Sequence, residues 1–482
     1  MKKLHFCTNS SEKIGLLFES KRCMDIFVDR PTADARIGAI YKGKVRNVDE
    51  TIEAAFIDIG LDKVGFLPKN EVPFINKDAK LASYLTDGAT VFVQVIKEPY
   101  QDKGPRLTAN ITIPGEHLIY LPNGGYIATS KKIPENVARE WKTFLAEKLA
   151  SDEGAILRTG ITDSSQEEII KDLTEARNLW QQLKSSANEQ KRPHLLFSSP
   201  LIPDQMLNQY QKESFQDITF DNRSVLERMK KKYPHLANVM RQRKDANVIA
   251  GKNINNWLTD SLHPVVRKED GIMLTVEQTE ALTVIDIDSS KFTSRQNKQH
   301  TVFQINQRAV QYCIEEIRKR NISGIIVIDF LKMPKKDEVT IVDYMKKMLR
   351  EDPVRTEVFG FTKLGLLEMT RKREKATLQQ LLTDRAANIQ PVLSMETLGY
   401  QLERELISWN SNTEALLLAI HPDLLSFIKA ELIVHLKSYL YNEVYVYTDK
   451  SMTSYDIIRS GSKQLIDEYI QDNQGIVIDK IL

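Results

Sequence analysis

Runs of apolar residues organise the second half of the chain. EALTVIDIDSS (280–290) and SGIIVIDFLKM (323–333) are apolar enough to form buried strands. Between them, TVFQINQRAVQYCIEEIRKR carries apolar residues at helical spacing. A strand, a helix and a second strand of this kind predict two parallel neighbours in an α/β sheet. The helical stripe consists of Phe303, Ala309, Val310, Cys313 and Ile317.

The first hundred residues alternate instead at the period of β-strands. Leu16–Phe18 and Asp25–Val28 flank a polar ESKR turn, which predicts a hairpin. A hairpin cannot bury a core by itself, so we expect it to join a sheet completed elsewhere in the chain. Short β-rich runs follow in residues 35–114 and predict a small all-β barrel: AIYKGKVRNVD, EAAFIDIG, VGFLP and TVFVQVIKEP.

Two further stretches mix helices and strands. In residues 115–195, HLIYLPN and GAILRTGI have the pattern of strands, and ENVAREWKTFLAEKLA and SQEEIIKDLTEARNLWQQLKSSA that of amphipathic helices. Residues 396–482 also combine helices such as PDLLSFIKAELIVHLKSYL with the strand EVYVYT. The chain is therefore predicted to be a multidomain α/β protein.

Composition narrows the class of protein. At about 100–200 residues per domain, 482 residues correspond to two to four domains. The net charge is only +2, so any affinity for nucleic acid must come from local clusters of basic residues. The three cysteines form no Cys-x-x-Cys pair, and neither a signal peptide nor a membrane-spanning segment is evident. We expect a cytoplasmic protein that does not insert into membranes.

Acidic residues end both apolar strands. Side chains alternate along a strand, so Asp286 and Asp288 share one face of LTVIDID, and Asp329 ends the second strand. If the strands are parallel neighbours, Asp286 and Asp329 meet at the carboxyl edge of the sheet, where α/β proteins bind ligands. Their charges repel unless a cation is bound, and carboxylates suit Mg²⁺. The alternative is that each aspartate is a turn former or a helix cap.

Aromatic and basic residues interleave in the predicted barrel. Bases of single-stranded RNA stack on aromatic rings while cations bind the phosphates, and this mixture suits both contacts. Ordinary core packing is an equally good interpretation of the aromatic residues, since strands are rich in Phe and Tyr. The residues concerned are Tyr41, Phe56 and Phe66, with Lys42, Lys44, Arg46, Lys63 and Lys69. No motif of an NTPase, nicotinamide enzyme, metalloprotease or serine hydrolase is present.

From Gly38 to Arg373 the chain resembles the bacterial ribonuclease E/G family. The matching motifs follow in family order: GAIYKGKV, EAAFIDIG with GFLP, LPN, EALTVIDIDS, IIVIDF and KLGLLEMTRKR. The length resembles that of the short RNase G type. The resemblance implies an RNase H-like domain (1–34 plus 196–261), an inserted OB-fold RNA-binding β-barrel (35–114), a 5′-sensor region (115–195), a DNase I-like catalytic domain (262–385) and a small α+β C-terminal domain (396–482).

The resemblance also assigns roles to individual residues. It makes Asp286 and Asp329 the catalytic aspartates that bind Mg²⁺. Whether Mn²⁺ can replace Mg²⁺ stays open. Asp288 stands where the family usually has Asn, so it is either a third metal ligand or a change that alters the site. Phe56, Phe66 and Lys103 correspond to residues of the OB fold that stack on RNA and grip it.

Further positions correspond to contacts with the RNA. Arg158 and Thr159, in ILRTG, match a pocket for a 5′-monophosphate that Gly115 and Ile119 would line. A guanidinium and a hydroxyl suit phosphate; without the resemblance, Arg158 would be interpreted as an exposed strand arginine. The family's basic pair corresponds to Lys131 and Lys132, and an RNA-contacting arginine of the catalytic domain corresponds to Arg355.

One family feature is absent. The Cys-Pro-x-Cys motif through which two family protomers share zinc is replaced by AANIQPVLSMET (386–397), so no zinc is predicted. The chain is then either a homodimer through its small domain or a monomer.

The resemblance predicts a Mg²⁺-dependent endoribonuclease of mRNA decay and rRNA processing. It would hydrolyse single-stranded RNA to products with 5′-phosphate ends, and a 5′-monophosphate on the substrate would stimulate it. The alternative is a non-catalytic RNA-binding factor that senses 5′ ends or assists ribosome assembly. A metal-dependent DNase is disfavoured, because the barrel and the phosphate pocket match RNA-binding proteins.

Overall fold

Two units make up the fold, and the second is inserted into the first along the sequence. The first unit comprises Met1–Pro31 and Pro200–Leu482, and the second comprises Thr32–Ser199. The structure is a computed structural model. It describes residues 2–31, 35–73, 75, 79–99, 103–130, 133–198, 201–210, 213–243, 245, 248–289, 298–383, 392–409, 413–472 and 477–482.

A five-stranded sheet begins the first unit. The predicted hairpin is confirmed: Lys13–Glu19 and Arg22–Asp29 pair in antiparallel register, and Ser20 in the turn has a φ of 59°. Lys2–Cys7 pairs antiparallel with the hairpin and parallel with Phe215–Phe220, so distant residues complete this sheet. In order, its strands are Met240–Gln242, Phe215–Phe220, Lys2–Cys7, Lys13–Glu19 and Arg22–Asp29. The helices of this part of the chain are Met206–Gln209, Arg223–Lys232 and Ile254–Asp260, and a small hairpin pairs Val248–Ile249 with Lys252–Asn253.

A six-stranded sheet follows and contains the predicted strand–helix–strand unit. Leu282–Asp288 and Gly324–Asp329 are parallel neighbours, and helix Lys298–Lys319 lies between them in the chain. One face of the sheet packs against the apolar stripe of this helix and against helix Lys335–Met348. In order, its strands are Val265–Arg267, Met273–Gln278, Leu282–Asp288, Gly324–Asp329, Leu366–Arg371 and Thr356–Phe361, and helix Leu378–Leu382 follows.

A buried ion pair ties the connecting helix to the first sheet. Asp25 accepts hydrogen bonds from the guanidinium of Arg318 and, over 2.8 Å, from the hydroxyl of Tyr210. Burial lowers the pKa of Arg318, but Asp25 more than reverses this, so its pKa lies above the ordinary arginine value. This contact fixes the helix against which the six-stranded sheet packs.

The C-terminal part of the first unit is a four-stranded sheet with helices. All six residues of Ala415–Ile420 are buried, as expected for an interior strand with both faces covered. In order, the strands are Tyr455–Gly461, Ala415–Ile420, Glu443–Thr448 and Asp479–Lys480. The helices are Met395–Trp409, Pro422–Phe427, Ile433–Tyr439 and Lys463–Asp472.

The second unit contains a closed five-stranded barrel. Ile40–Asp49 pairs with both Ala54–Asp58 and Thr90–Lys97, which closes the barrel, and His194–Phe197 adds an outer strand. The order is Ile40–Asp49, Ala54–Asp58, Gly65–Pro68, Arg106–Thr108 and Thr90–Lys97. A four-stranded sheet of Ile127–Thr129, Gly154–Leu157, Leu118–Leu121 and Ile113–Pro114 packs with helices Glu135–Ala146 and Gln166–Ala187.

These elements confirm the predicted fold at a coarse level. The chain is a mixed α/β protein, and its closed five-stranded barrel is compatible with an OB-like fold. The RNase H-like and DNase I-like identities and the five domain boundaries stay predictions. Among the described residues, no helix has both the length and the apolar character needed to span a membrane.

Candidate functional site

Asp286 and Asp329 lie directly beside each other on adjacent strands. The parallel register pairs Leu282 with Ile325 and continues to the pair of Asp286 and Asp329, where the second strand ends. Neighbouring strands are about 4.8 Å apart, so the two carboxylates leave the sheet side by side. The expectation that the strands are parallel neighbours and bring these two aspartates together is therefore confirmed.

Both aspartates project from the open face of the sheet. Ile285, Ile287 and Ile328 belong to the buried cluster under the helices, whereas Asp286 and Asp329 are exposed. Within the described part of the chain, neither carboxylate accepts a hydrogen bond or forms an ion pair. Like charges in register are unfavourable, and a divalent cation bound to both carboxylates would remove the repulsion. The two side chains thus fit Mg²⁺, which binds through one or two carboxylates and retains waters.

The third predicted ligand, Asp288, lies on the same open face. Its Oδ1 accepts a hydrogen bond of 2.6 Å from the backbone N–H of Ser289, and its strand neighbour is Met273 rather than an acid. No cluster of three or more His, Cys, Asp or Glu residues suited to a metal occurs among the described residues. The geometry therefore supplies one close pair of carboxylates, and a role of Asp288 in metal binding stays a prediction.

Sequence reasoning missed a buried amide close to this pair. Asn306 lies on helix Lys298–Lys319, is 0% exposed, and bonds to the backbone of Leu331. Leu331 follows Asp329 by two residues, so Asn306 fixes the segment that leaves the second acidic strand. A polar residue within the apolar stripe between Phe303 and Val310 was the signal that could have revealed it.

In the barrel, Phe56 and Phe66 are directly opposite each other. Their rings make an edge-to-face contact at 6.0 Å, and both side chains are only partly buried. Neither belongs to the buried barrel core, which does include Tyr41 at 5% exposure. Core packing is therefore the correct interpretation for Tyr41, while Phe56 and Phe66 form an aromatic surface suited to stacking.

The predicted lysine lies beside this aromatic pair. The Lys103–Arg106 segment runs along Phe66, whose N–H donates to Pro105 O over 2.8 Å. At Gly104 a Cβ would lie only 1.8 Å from Val64 O, so only glycine allows this close approach. Lys103 is exposed, and Arg106 is in register with Phe66, which adds a cation that sequence reasoning did not single out.

Some of the interleaved cations have partners within the second unit. Lys42 donates to the carbonyl of Ala187 over 2.6 Å. Arg46 pairs with Asp58, and Lys69 pairs with Glu53. The cationic character of the barrel surface is therefore smaller than the sequence count indicates.

Arg158 is not an exposed strand residue. The strand Gly154–Leu157 ends before it, and the Arg158 side chain is half-buried. Its Nη1 donates to the carbonyl of Gly115 over 2.6 Å and to that of Glu116 over 3.4 Å. The structure thus brings Arg158 and Gly115 together. Ile119 is half-buried on Leu118–Leu121, and a short 3₁₀ helix begins at Thr159, whose side chain lies outside the described part.

The remaining predicted RNA contacts lie elsewhere. Lys131 and Lys132 are outside the described residues. Arg355 is 78% exposed, and its guanidinium pairs with Glu357 on the last strand of the six-stranded sheet. The contacts of Arg355 and of the 5′-sensor residues with RNA therefore stay predictions.

Comparison with known proteins identifies the class. The profile of the Ribonuclease E/G family matches residues 112–374, more than half of the chain. Ribonuclease G of Haemophilus influenzae is 29% identical over 83% of this chain and 86% of that protein. Ribonuclease G of Escherichia coli K12 is 28% identical over 80% of this chain and 83% of that protein. Ribonuclease E of Nostoc sp. is 31% identical over 77% of this chain but covers only 56% of that longer protein.

The chain belongs to the Ribonuclease E/G family. The predicted enzyme class, an endoribonuclease, is thereby confirmed. The matched segment includes both Asp286 and Asp329 as well as Gly115 and Arg158.

Proposed function

We propose that this endoribonuclease hydrolyses single-stranded RNA with Mg²⁺ bound at Asp286 and Asp329. The observation that carries the proposal is their pairing in register on the open face of the six-stranded sheet. Without a cation the two charges oppose each other, and we find no structural role for such a pair. The two exposed carboxylates therefore supply the ligands of a hydrolytic metal site.

The two aspartates and Asn306 have separate roles in hydrolysis. With Mg²⁺ bound, the site gains a water of lowered pKa and a positive charge opposite the phosphate. Asp286 and Asp329 hold that charge, and Asn306 keeps the segment after Asp329 in place. Water oxygen bonds to phosphorus, the bond from phosphorus to the 3′ oxygen breaks, and that oxygen takes a proton. The products carry 5′-phosphate and 3′-hydroxyl ends.

In this proposal, residues of the second unit bind the RNA strand. Phe56 and Phe66 stack on bases, while Lys103 binds a neighbouring phosphate. Arg158 binds a 5′-monophosphate through charge-assisted hydrogen bonds, which makes monophosphorylated RNA the better substrate. Partial exposure of both rings and the half-buried position of Arg158 support these roles.

Cleavage of one short, unstructured RNA tests the proposal. We expect cleavage with Mg²⁺ and none with EDTA. Asp286→Asn and Asp329→Asn should lower the rate by about a hundred-fold or more, because a catalytic metal contributes several kcal/mol. Binding of the RNA in EDTA should persist in both variants. Glu277→Gln removes an exposed acid from the preceding strand and is the matched control.

Three results would contradict parts of the proposal. Wild-type rates in both aspartate variants would exclude the carboxylate pair as the catalytic site. Binding without cleavage by the wild-type protein, in Mg²⁺ and in Mn²⁺, would favour the non-catalytic RNA-binding factor. Equal cleavage of a 2′-deoxy strand of the same sequence would show that the enzyme does not discriminate RNA from DNA.

We further propose a homodimer through the C-terminal part of the first unit. Val434 and Tyr441 lie close together in the chain and are 79% and 91% exposed, so both side chains are available to a partner surface. Light scattering should report a dimer that Val434→Asp converts to a monomer. Val339→Asp, at an exposed valine of another helix, is the control. A monomeric wild-type protein would contradict this proposal.

A further inference from the structure

Asp172 and Arg158 bind opposite sides of the same three peptide groups. The Asp172 carboxylate accepts hydrogen bonds from the backbone N–H groups of Glu116, His117 and Leu118, at 3.0, 2.9 and 3.1 Å. The carbonyl ends of these peptide groups belong to Gly115, Glu116 and His117. Arg158 Nη1 donates to the first two, and the Arg158 backbone N–H donates to the third over 2.9 Å.

This arrangement couples an anion to a cation through the backbone. The N–H and C=O of one peptide group point in opposite directions, so the carboxylate and the guanidinium lie on opposite sides of the loop. Hydrogen bonds in such a chain polarise one another, which strengthens each carbonyl as an acceptor for Arg158. Asp172 therefore acts on Arg158 without touching it.

The same arrangement explains why residue 115 is a glycine. A Cβ at this position would lie 2.1 Å from Asp172 Oδ1, so any other residue would displace the carboxylate. Three successive N–H groups directed at one anion form the kind of backbone nest that also binds phosphate. Here Asp172 already occupies the nest, so these three N–H groups are not available to an RNA phosphate, and Arg158 is the cation placed beside the loop.

Asp172 itself is held rigidly. It lies on helix Gln166–Ala187, whose first turn is fixed by a capping box between Ser165 and Glu168. The next residue, Leu173, is 2% exposed and packs in the core of this part of the unit. The carboxylate therefore has a fixed position from which to order the loop.

We propose that Asp172 is a positioning residue that sets the Arg158 guanidinium for the 5′-monophosphate of RNA. This inference rests on the 5′-end preference proposed above and assigns a residue that controls it. Arg158 Nη1 is used by the loop, and the guanidinium has further N–H donors at Nε and Nη2 for a phosphate. If the loop shifts, these donors lose the orientation that favours a terminal phosphate over a hydroxyl.

The test is the ratio of kcat/KM for 5′-monophosphorylated RNA to that for the same RNA with a 5′-hydroxyl. Asp172→Asn keeps the size of the side chain but turns one acceptor oxygen into a donor that opposes the loop N–H groups. Gly115→Ala displaces the carboxylate by a different route. Both variants should lower the ratio by about ten-fold or more, because this is the effect expected from the loss of one charge-assisted hydrogen bond. The ratio should then approach that of Arg158→Ala. Glu175→Gln, an exposed acid on the same helix, should keep the wild-type ratio.

The outcomes separate this inference from the function on which it rests. A wild-type ratio in Asp172→Asn together with a reduced ratio in Arg158→Ala would overturn the positioning role alone. A ratio near one in the wild-type protein, unchanged by Arg158→Ala, would overturn both the 5′-end preference and the role of Asp172. Rates that fall equally on the two RNAs would show that Asp172 is only structural, and would also overturn the inference.

Discussion

Asn306 and Leu331 are joined by two hydrogen bonds between a side-chain amide and the backbone. Asn306 Nδ2 donates to Leu331 O over 2.7 Å, and the Leu331 N–H donates to Asn306 Oδ1 over 3.2 Å. An amide supplies a donor and an acceptor together, which neither a carboxylate nor an apolar side chain can do. The pair therefore connects helix Lys298–Lys319 to the segment that follows Asp329 in the six-stranded sheet.

Replacing this amide should disturb the proposed metal site more than RNA binding. The substitution Asn306→Asp would set a carboxylate oxygen against the Leu331 carbonyl. We expect kcat to fall by about ten-fold, a higher Mg²⁺ requirement, and little change in KM for RNA; loss of the buried bond should also cost about 1–3 kcal/mol of stability. Cleavage rates over a Mg²⁺ titration measure this effect.

The matched control is the neighbouring residue. Gln307→Glu makes the same change from amide to carboxylate at a half-buried position of the same helix. It should retain the wild-type Mg²⁺ dependence. If Asn306→Asp loses stability but keeps the wild-type kcat and Mg²⁺ requirement, Asn306 has no part in positioning Asp329.

The repulsion between Asp286 and Asp329 predicts a stability effect that is independent of activity. In EDTA, Asp329→Asn should be more stable than the wild type by about 0.2–1 kcal/mol, because it removes a like-charge pair. Mg²⁺ at a hundred times its dissociation constant should stabilise the wild type by about 2.7 kcal/mol and the variant by much less. Thermal unfolding with and without Mg²⁺ measures both. Equal stabilisation of the two proteins would place the metal elsewhere.

The acidic pair could be predicted from the sequence for simple geometric reasons. Side chains alternate along a strand, and a helical connection between two buried strands makes them parallel. Both apolar runs end in aspartate, so parallel pairing brings Asp286 and Asp329 to one edge. The buried positions of Ile285 and Ile287, one on each side of the exposed Asp286, follow from the same alternation.

The supporting contacts could not be predicted in this way. Asn306 and Leu331 are 25 residues apart, and Asp172 and Glu116 are 56 apart, so each contact depends on tertiary packing. The apolar stripe marks Asn306 as a buried amide but does not indicate its partner, and no local spacing of residue types marks Asp172. In the barrel, an irregularity between Val45 and Asn47 shifts the pairing with the strand that carries Phe56. Such a bulge changes which side chains face inward, which alternation alone does not reveal.

The aromatic pair of the barrel should contribute to RNA binding rather than to stability. Phe56→Ala and Phe66→Ala should each weaken binding of single-stranded RNA by about 1–3 kcal/mol, the value of one base stack. Leu67→Ala is the contrasting control, since Leu67 is 0% exposed in the barrel core and its truncation should cost about 2–5 kcal/mol of stability. Titration of RNA in EDTA and urea unfolding separate the two effects. Unchanged affinity in both phenylalanine variants would remove the pair from the RNA-binding surface.

Glu316 predicts how stability depends on pH. Its carboxylate is 0% exposed and accepts hydrogen bonds from Lys319, Arg320 and Lys268 at 2.7, 3.0 and 3.4 Å. Burial alone would raise the pKa of Glu316, but the three cations lower it from 4.5 to about 2.

The unfolded chain then binds this proton more readily than the folded one, so the stabilisation is complete above about pH 5 and is lost between pH 4.5 and 2. Glu316→Gln should cost about 3 kcal/mol at pH 7, since it leaves the buried Arg320 and the half-buried Lys319 without their carboxylate partner, and the deficit should shrink in acid. Urea unfolding at a series of pH values measures this, with the exposed Glu269→Gln as a control that shows no such trend. A deficit that stays constant from pH 7 to pH 3 would mean that the ionised carboxylate does not stabilise the fold.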